Sequence, residues 1–172
     1  MGGISANTPG RIVYGTDGFV TVNGTDLGAT LGPIEIRMNA EHYYPDLAQA
    51  RGPVAGTGKV TGGTFSVTVT LAEWDYDNLS AAMGSIGADS SGASEKFGGA
   101  TLDDAVEVDN VIVTGITRKD GKAFVATIPK AYVEVGDITL EEGKEAGLQI
   151  TFHGLYTTTS PDVLPGYIEI EK

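Results

Sequence analysis

The sequence predicts a mainly β domain, an antiparallel β-sandwich or barrel with one flanking α-helix and a long inter-strand loop. Three observations carry this. Ile34–Glu41 and Phe65–Leu71 alternate apolar and polar residues without a break, the mark of strands with one buried face. Between them runs the glycine-rich segment Arg51–Gly63, too poor in apolar side chains to build a core of its own. Only Ala72–Gly84 carries apolar residues at helical spacing.

The elements follow in order. Residues 1–10 read as a flexible arm. Arg11–Tyr14 and Phe19–Val22 read as short strands around Gly15–Gly18. Asn23-Gly24 is a two-residue turn signal, since both positions tolerate positive φ. Gly32-Pro33 punctuates the chain before the long strand 34–44, whose apolar face, Ile34, Ile36, Met38 and Ala40, is expected to meet the core. Residues 46–63 form the glycine-rich loop, and a strand at 64–71 follows. In the helix, Leu71, Trp74, Leu79, Ala82 and Met83 approximate an apolar stripe. Glu73, Asp75 and Asp77 sit early, where the helix dipole favours acids, and Gly84 is a natural stop. Residues 85–104 read as a surface loop or insertion. Val106–Thr117 and Ala123–Val135 make a hairpin with Asp120-Gly121 at its tip. Gly136–Leu140 is a short piece, Leu148–His153 alternates again, and Tyr167–Glu171 is a terminal strand. No internal repeat or domain boundary appears, so 1–172 is expected to be a single domain.

Composition narrows the function classes. At 172 residues the chain can bury roughly 70% of its unfolded surface without a covalent staple. It has no cysteine, which excludes disulfides and thiolate zinc sites. The net charge of −12 argues against a protein that grips phosphate backbones through a basic patch. No apolar run approaches the ~20 residues of a membrane span. Residues 1–7 show neither the charged nor the apolar region of a signal peptide, so no leader is expected.

Tests for chemistry find no marked site, and the expectation is no enzyme, no cofactor and no metal. His42 and His153 are the only histidines, and both fall in strands, where a lone histidine is usually a surface or interface residue. Gly56-Thr57-Gly58-Lys59 fails as a phosphate loop, because Pro53 stands where glycine is needed and Val60 replaces the metal-binding hydroxyl. Asp103, Asp104, Glu107 and Asp109 form an acidic cluster that reads as a solvated strand face, with a hard-cation site as the alternative. Trp74, Tyr76 and Leu79 read as a helix face packed on a sheet rather than a ligand box.

One stretch resembles a known family. Leu27–Ile36 opens a long strand, Ala50-Arg51-Gly52-Pro53-Val54-Ala55-Gly56-Thr57 follows, and the next strand ends in Leu71-Ala72-Glu73. This order resembles the major tail tube proteins of long-tailed, siphovirus-like bacteriophages. There a leading strand of glycine, small and hydrophobic residues precedes a Gly-Pro-Val-x-Gly-Thr loop, then a strand and a helix starting near an acidic residue. The resemblance covers residues 25–84 best; 106–135 and 147–171 fit more loosely, and 85–101 has no counterpart. Tubes of contractile phages, type VI secretion tubes and tail terminators have similar folds.

The resemblance implies a structural subunit. Six copies form a ring, and rings stack into a hollow virion tail tube, assembled in the host bacterial cytoplasm, that conducts DNA to the host. The loop 46–63 is then an assembly loop reaching a neighbouring subunit or ring, with Arg51, Gly52, Pro53, Val54, Gly56, Thr57, Gly58 and Lys59 as candidate contacts. Terminal segments add contacts between rings. The implied partners are the chain itself and the tape-measure, tail-terminator and distal tail proteins. DNA passes without specific binding, and no membrane is involved.

Three physical arguments agree with that picture. Unpaired strand edges are a liability in a monomer and a template in an assembly. A glycine-rich arm costs about 1–2 kcal/mol per residue to order, so it stays loose until a partner surface is present. Carboxylates lining a channel repel phosphates, so DNA slides without sticking. Glu35 and Glu41 are the candidate lumen-facing residues; alternatively they face outwards or pair with Arg37 and a neighbour. A competing reading is a carbohydrate-binding or adhesin-like β-sandwich module, with Tyr43, Tyr44, Tyr132, Tyr156 and Tyr167 as a candidate aromatic platform. A third is a β-barrel hydrolase using carboxylates, though no pair is marked.

Overall fold

The computed structural model describes residues 13–46, 52–83, 107–117, 123–140 and 142–171. The expected N-terminal arm, the insertion at 85–104, the hairpin tip at 118–122 and Arg51 lie outside the described residues. Among the described residues the chain is mainly β with one helix. Its strands are β1 (Val13–Val22), β2 (Thr25–Asp26), β3 (Glu35–Tyr43), β4 (Lys59–Leu71), β5 (Glu107–Thr117), β6 (Ala123–Thr139), β7 (Gly147–Gly154) and β8 (Tyr167–Ile170), with α1 (Tyr76–Met83) between β4 and β5.

All eight strands belong to one antiparallel sheet ordered β2-β1-β5-β6-β7-β4-β3, with β8 paired to the first part of β6. The ladder does not close. Its two ends are nevertheless brought round to each other by residues 27–31. Leu27 N–H donates to the Val20 carbonyl on β1, while Leu31 N–H donates to Thr70 and Ala29 accepts from Ala72 at the end of β4. Gly28, at φ 76, turns the chain between these two attachments, and Ala29 N–H is held by the Glu73 carboxylate. One coiled sheet thus takes the place of two packed ones.

Several boundaries differ from the sequence expectation, each for a local reason. Residues 13–22 form one strand, not two, because a register shift between Tyr14 and Phe19 absorbs the glycine-containing stretch. The Asn23-Gly24 turn has positive φ at both positions, 50° and 83°, as its sequence demands. β4 begins at Lys59, so Lys59–Gly63 belong to a strand and not to the loop. Residues 136–139 are not separate: β6 continues through them past a register shift between Val135 and Ile138. The helix starts at Tyr76, later than expected. Ala72 is already committed to Ala29, and the Trp74 indole N–H donates to the Leu71 carbonyl at 3.3 Å. Trp74 therefore lies outside the helix and is 41% exposed, while Leu79, Ala82 and Met83 face the core.

The core is the inward parity of the central strands. Phe65, Val67, Val69 and Leu71 of β4 are buried beside Leu148, Ile150 and Phe152 of β7, with Val67 opposite Phe152 and Val69 opposite Ile150. Each such side chain contributes about 1.5–3 kcal/mol on burial. Met38 does not join them. It stands opposite Phe65 but is 58% exposed. The backbone of Gly166 lies on the Phe65 ring, where an added Cβ would sit 2.5 Å away. Ile34 and Ile36 are only partly buried against the core.

Phe152→Ala is expected to lower stability by about 3–5 kcal/mol, the usual cost of emptying a fully packed aromatic site. Urea unfolding followed by circular dichroism checks this.

Candidate assembly surfaces

The residues with outward parity on β3, β4, β7, β6 and β5 make one continuous polar face. One row reads Arg37, Ser66, His153, Tyr132, Glu107 across the five strands. The next reads Glu35, Thr68, Thr151, Glu134. Side-chain bonds run within and between the rows: the Thr68 and Thr151 hydroxyls lie 3.0 Å apart along the second row, and His153 Nε2 lies 2.8 Å from Glu134 Oε2 across the two. The Tyr132 and His153 rings stack with centroids 4.6 Å apart. Arg37 reaches Glu35 at 2.9 Å, so the pairing alternative for Glu35 is realised within the chain.

At β5 and β6 the face ends in a cation between two acids. Lys130 Nζ lies 2.9 Å from Glu107 and 3.7 Å from Asp109. The hydrogen bond that Lys130 donates to Glu107, then the charge of Asp109, hold the Lys130 ammonium above its ordinary pKa. Just beyond, Asn110 adopts φ 51°, and inward parity passes from Val108 to Val111. The sheet turns a corner there, which ends the polar face. Glu41 also has outward parity, beside Gly62. The face thus carries the carboxylates of Glu35, Glu41, Glu107, Asp109 and Glu134 against the cations Arg37 and Lys130, an acidic balance.

The second surface is an edge. β3 pairs with β4 and with no other described strand. Gly63, opposite Ala40, turns its N–H and C=O away from β3, since both bond Tyr156 Oη, at 2.7 and 2.9 Å. By antiparallel alternation, Ile36, Met38 and Ala40 then turn theirs away from β4, to the free edge. Among the described residues, β6 has no partner on the β5 side beyond Tyr132, which is level with Glu107. Among the described residues, the four-stranded section β3-β4-β7-β6 therefore has an unpaired edge on each side.

The glycine-rich arm is shorter than expected. Gly52, Pro53, Val54, Gly56, Thr57 and Gly58 lie between β3 and β4. Thr57 donates both its N–H, at 3.3 Å, and its hydroxyl, at 2.8 Å, to the Val54 carbonyl, and Gly56 supplies φ 83°. The Tyr44 ring rests on Gly58, where an added Cβ would meet it at 2.5 Å. Lys59 is in register with Tyr43 as the first rung of β4. The strand extends this far because Gly63 lets backbone and Leu164 approach where a side chain would collide with Asn39 and Leu164.

Sequence reasoning had no local signal for Tyr156 as a clamp on β4, or for Glu134 and Lys130 as members of the polar face. Strand parity on β6 would have found the last two. The five tyrosines proposed as a platform occupy separate settings: Tyr132 is stacked on His153, Tyr156 is tied to Gly63, Tyr43 stands opposite Lys59 at the end of β3, Tyr44 covers Gly58, and Tyr167 of β8 pairs with Thr127 of β6. Of the acidic cluster, Glu107 and Asp109 serve Lys130, while Asp103 and Asp104 lie outside the described residues. No protein-family model matches this chain, and no curated protein matches it.

Tyr156→Phe removes the one hydroxyl that serves both groups of Gly63, and is expected to cost about 1–2 kcal/mol in urea unfolding. Lys130→Gln tests the cation. A lysine raised in the folded state stabilises fully below its unfolded pKa and loses that contribution as pH rises through the folded value. The stability gap between wild type and Lys130→Gln is expected at neutral pH and should shrink above the ordinary 10.5. Thermal melts across that range check it.

Proposed function

We propose that the chain is the structural subunit of a phage tail tube, forming stacked hexameric rings around a negatively charged channel through which DNA reaches the host. The observation that carries this reading is the four-stranded section β3-β4-β7-β6, unpaired at both edges among the described residues and faced on one side by an acidic, hydrogen-bonded polar surface. Copies set side by side around an axis bring β3, running one way, against the neighbour's β6, running the other, so the joint is antiparallel. Tilted strands in a closed barrel are staggered, which suits the offset between the free stretch of β3 and that of β6. Closure removes both edges, the liability that a lone subunit carries.

The exposed apolar residues support the same joint. Met38 projects from the inner side at the β3 edge, and Val135 and Ile138 are exposed at the β6 edge. Joining the edges places these groups together and out of water. In the ring, the outward face becomes the lumen lining. Glu35, Glu41, Glu107, Asp109 and Glu134 there outnumber Arg37 and Lys130, so passing phosphates are repelled rather than bound. The family resemblance adds the tape-measure, tail-terminator and distal tail proteins as partners, and the virion tail as location.

Met38→Asp is expected to leave the fold intact, since the residue is solvent-exposed, and to abolish tubes. Negative-stain microscopy and light scattering of the purified variant check this. Tubes of normal number and width from Met38→Asp would remove the lateral joint from the reading.

A further inference from the structure

The β1–β2 hairpin turns on Asn23-Gly24, the only asparagine–glycine pair in the chain. Both residues are solvent-exposed, and both hold positive φ, 50° and 83°. Glycine brings no side chain to shield its nitrogen, and nothing stands within 4 Å of the point where a Cβ on Gly24 would be. Among the described residues, the Gly24 N–H donates to no backbone or side-chain acceptor. The other described asparagines are placed differently. Asn39 and Asn78 are followed by Ala40 and Leu79 within regular elements, and Asn110 by the β-branched Val111. Each of these followers carries a side chain that crowds its nitrogen.

We propose that Asn23 is a site of spontaneous covalent modification, in which the backbone nitrogen of Gly24 attacks the Asn23 side-chain amide. The Gly24 nitrogen gives its proton to solvent base and bonds to Asn23 Cγ. The bond from Cγ to Nδ2 breaks, and the amide nitrogen takes a proton from water and leaves as ammonia. A five-membered succinimide remains, and water opens it. Cleavage of the new Cγ–N bond gives aspartate. Cleavage of the original peptide bond gives isoaspartate, in which the main chain runs through Cβ and Cγ. Water enters and ammonia leaves, so neither oxidant nor cofactor is needed. Ring closure requires Asn23 to rotate about ψ, out of the turn. The pairing that must yield is short, since β2 is Thr25–Asp26 alone, opposite Val22 and Thr21. Such a short edge pairing opens locally at small cost.

The consequence falls on the segment that joins the two ends of the sheet. Asn23 N–H reaches the Asp109 and Asn110 carbonyls, at 3.1 and 3.2 Å, and so ties the hairpin to the corner of β5. Isoaspartate lengthens a turn whose two residues set the register of Val22 against Thr25. Aspartate instead adds a charge to a cleft that Asn23 shares with Asp77, Glu107 and Asp109. Just beyond the hairpin, Leu27 is fully buried and bonded to Val20, the first attachment of residues 27–31. Either product loosens that attachment. The inference stands apart from the tube reading.

Wild-type protein, aged in warm, mildly alkaline buffer and then digested with trypsin, reports the site. Cleavage after Arg11 and Arg37 releases residues 12–37, in which Asn23 is the only side-chain amide. This fragment is expected to gain the mass difference between an amide and an acid and to split into two chromatographic species, while Asn39, Asn78 and Asn110 remain amides. A fragment that stays unchanged in the native protein, over a period that converts it in guanidinium-unfolded protein, would overturn the assignment, because the turn would then protect its amide. Asn23→Gly removes the amide and keeps a residue that tolerates positive φ. Aged wild type is expected to melt about 2–4 °C below fresh wild type, and aged Asn23→Gly at its fresh value. Equal losses in both, or no loss in a wild type whose Asn23 has converted, would overturn the link to residues 27–31.

Discussion

A hydrogen-bond ladder that stops must leave the amides of its last strand to water or to another strand, and among the described residues β3 is that last strand. Ile36, Met38 and Ala40 turn their N–H and C=O groups outward along it. Most of what is distinctive about this protein follows from that edge. Met38 is exposed because it sits at the rim of the core. The charged residues Glu35, Arg37 and Glu41 alternate with it, and such charges discourage indiscriminate pairing of an exposed edge. Pro33 and Pro45 flank the strand and confine the open stretch between them. The unpaired stretch of β3 is thus bounded at both ends and interrupted by charge.

The strands that lead to the edge serve two purposes at once through a period of two. Inward residues of β4 and β7 make a dry core of Val67, Val69, Ile150 and Phe152. The residues between them, Ser66, Thr68, Thr151 and His153, make a wet, hydrogen-bonded face. A one-residue slip in register would exchange the two, so core burial also specifies which groups line the outer surface. The corner at Asn110 sets the limit of that surface, with Lys130 holding Glu107 and Asp109 at its margin.

Where strands run out, single side chains take over. β7 pairs with β4 only from Ser66 onward, and Tyr156 bonds the backbone of Gly63 just before that point. Glu73 performs the same service for Ala29, where the chain crosses from one end of the sheet to the other. These contacts join residues 93 and 44 positions apart. They explain how a single open sheet surrounds a core that a flat sheet and one eight-residue helix could not enclose.

What the sequence determined by itself was the local alternation. The period-two runs at 34–41 and 65–71, the positive-φ turn at Asn23-Gly24 and the inward helical residues Leu79, Ala82 and Met83 all appear in the structure where composition placed them. These are short-range properties: burial of one face and steric tolerance at one φ are written in neighbouring residues. The sequence did not determine that Lys59–Gly63 join β4, that β6 runs on to Thr139, or that Met38 falls outside the core. Each depends on which distant segment lies alongside. Glycines at Gly62 and Gly63 read as flexible until β3 pairs with them, and an alternating strand reads as core-facing until its place at the end of the ladder is known. Tertiary pairing decided these points, because it alone chooses which strand is central, which is last, and which face of each is left to water.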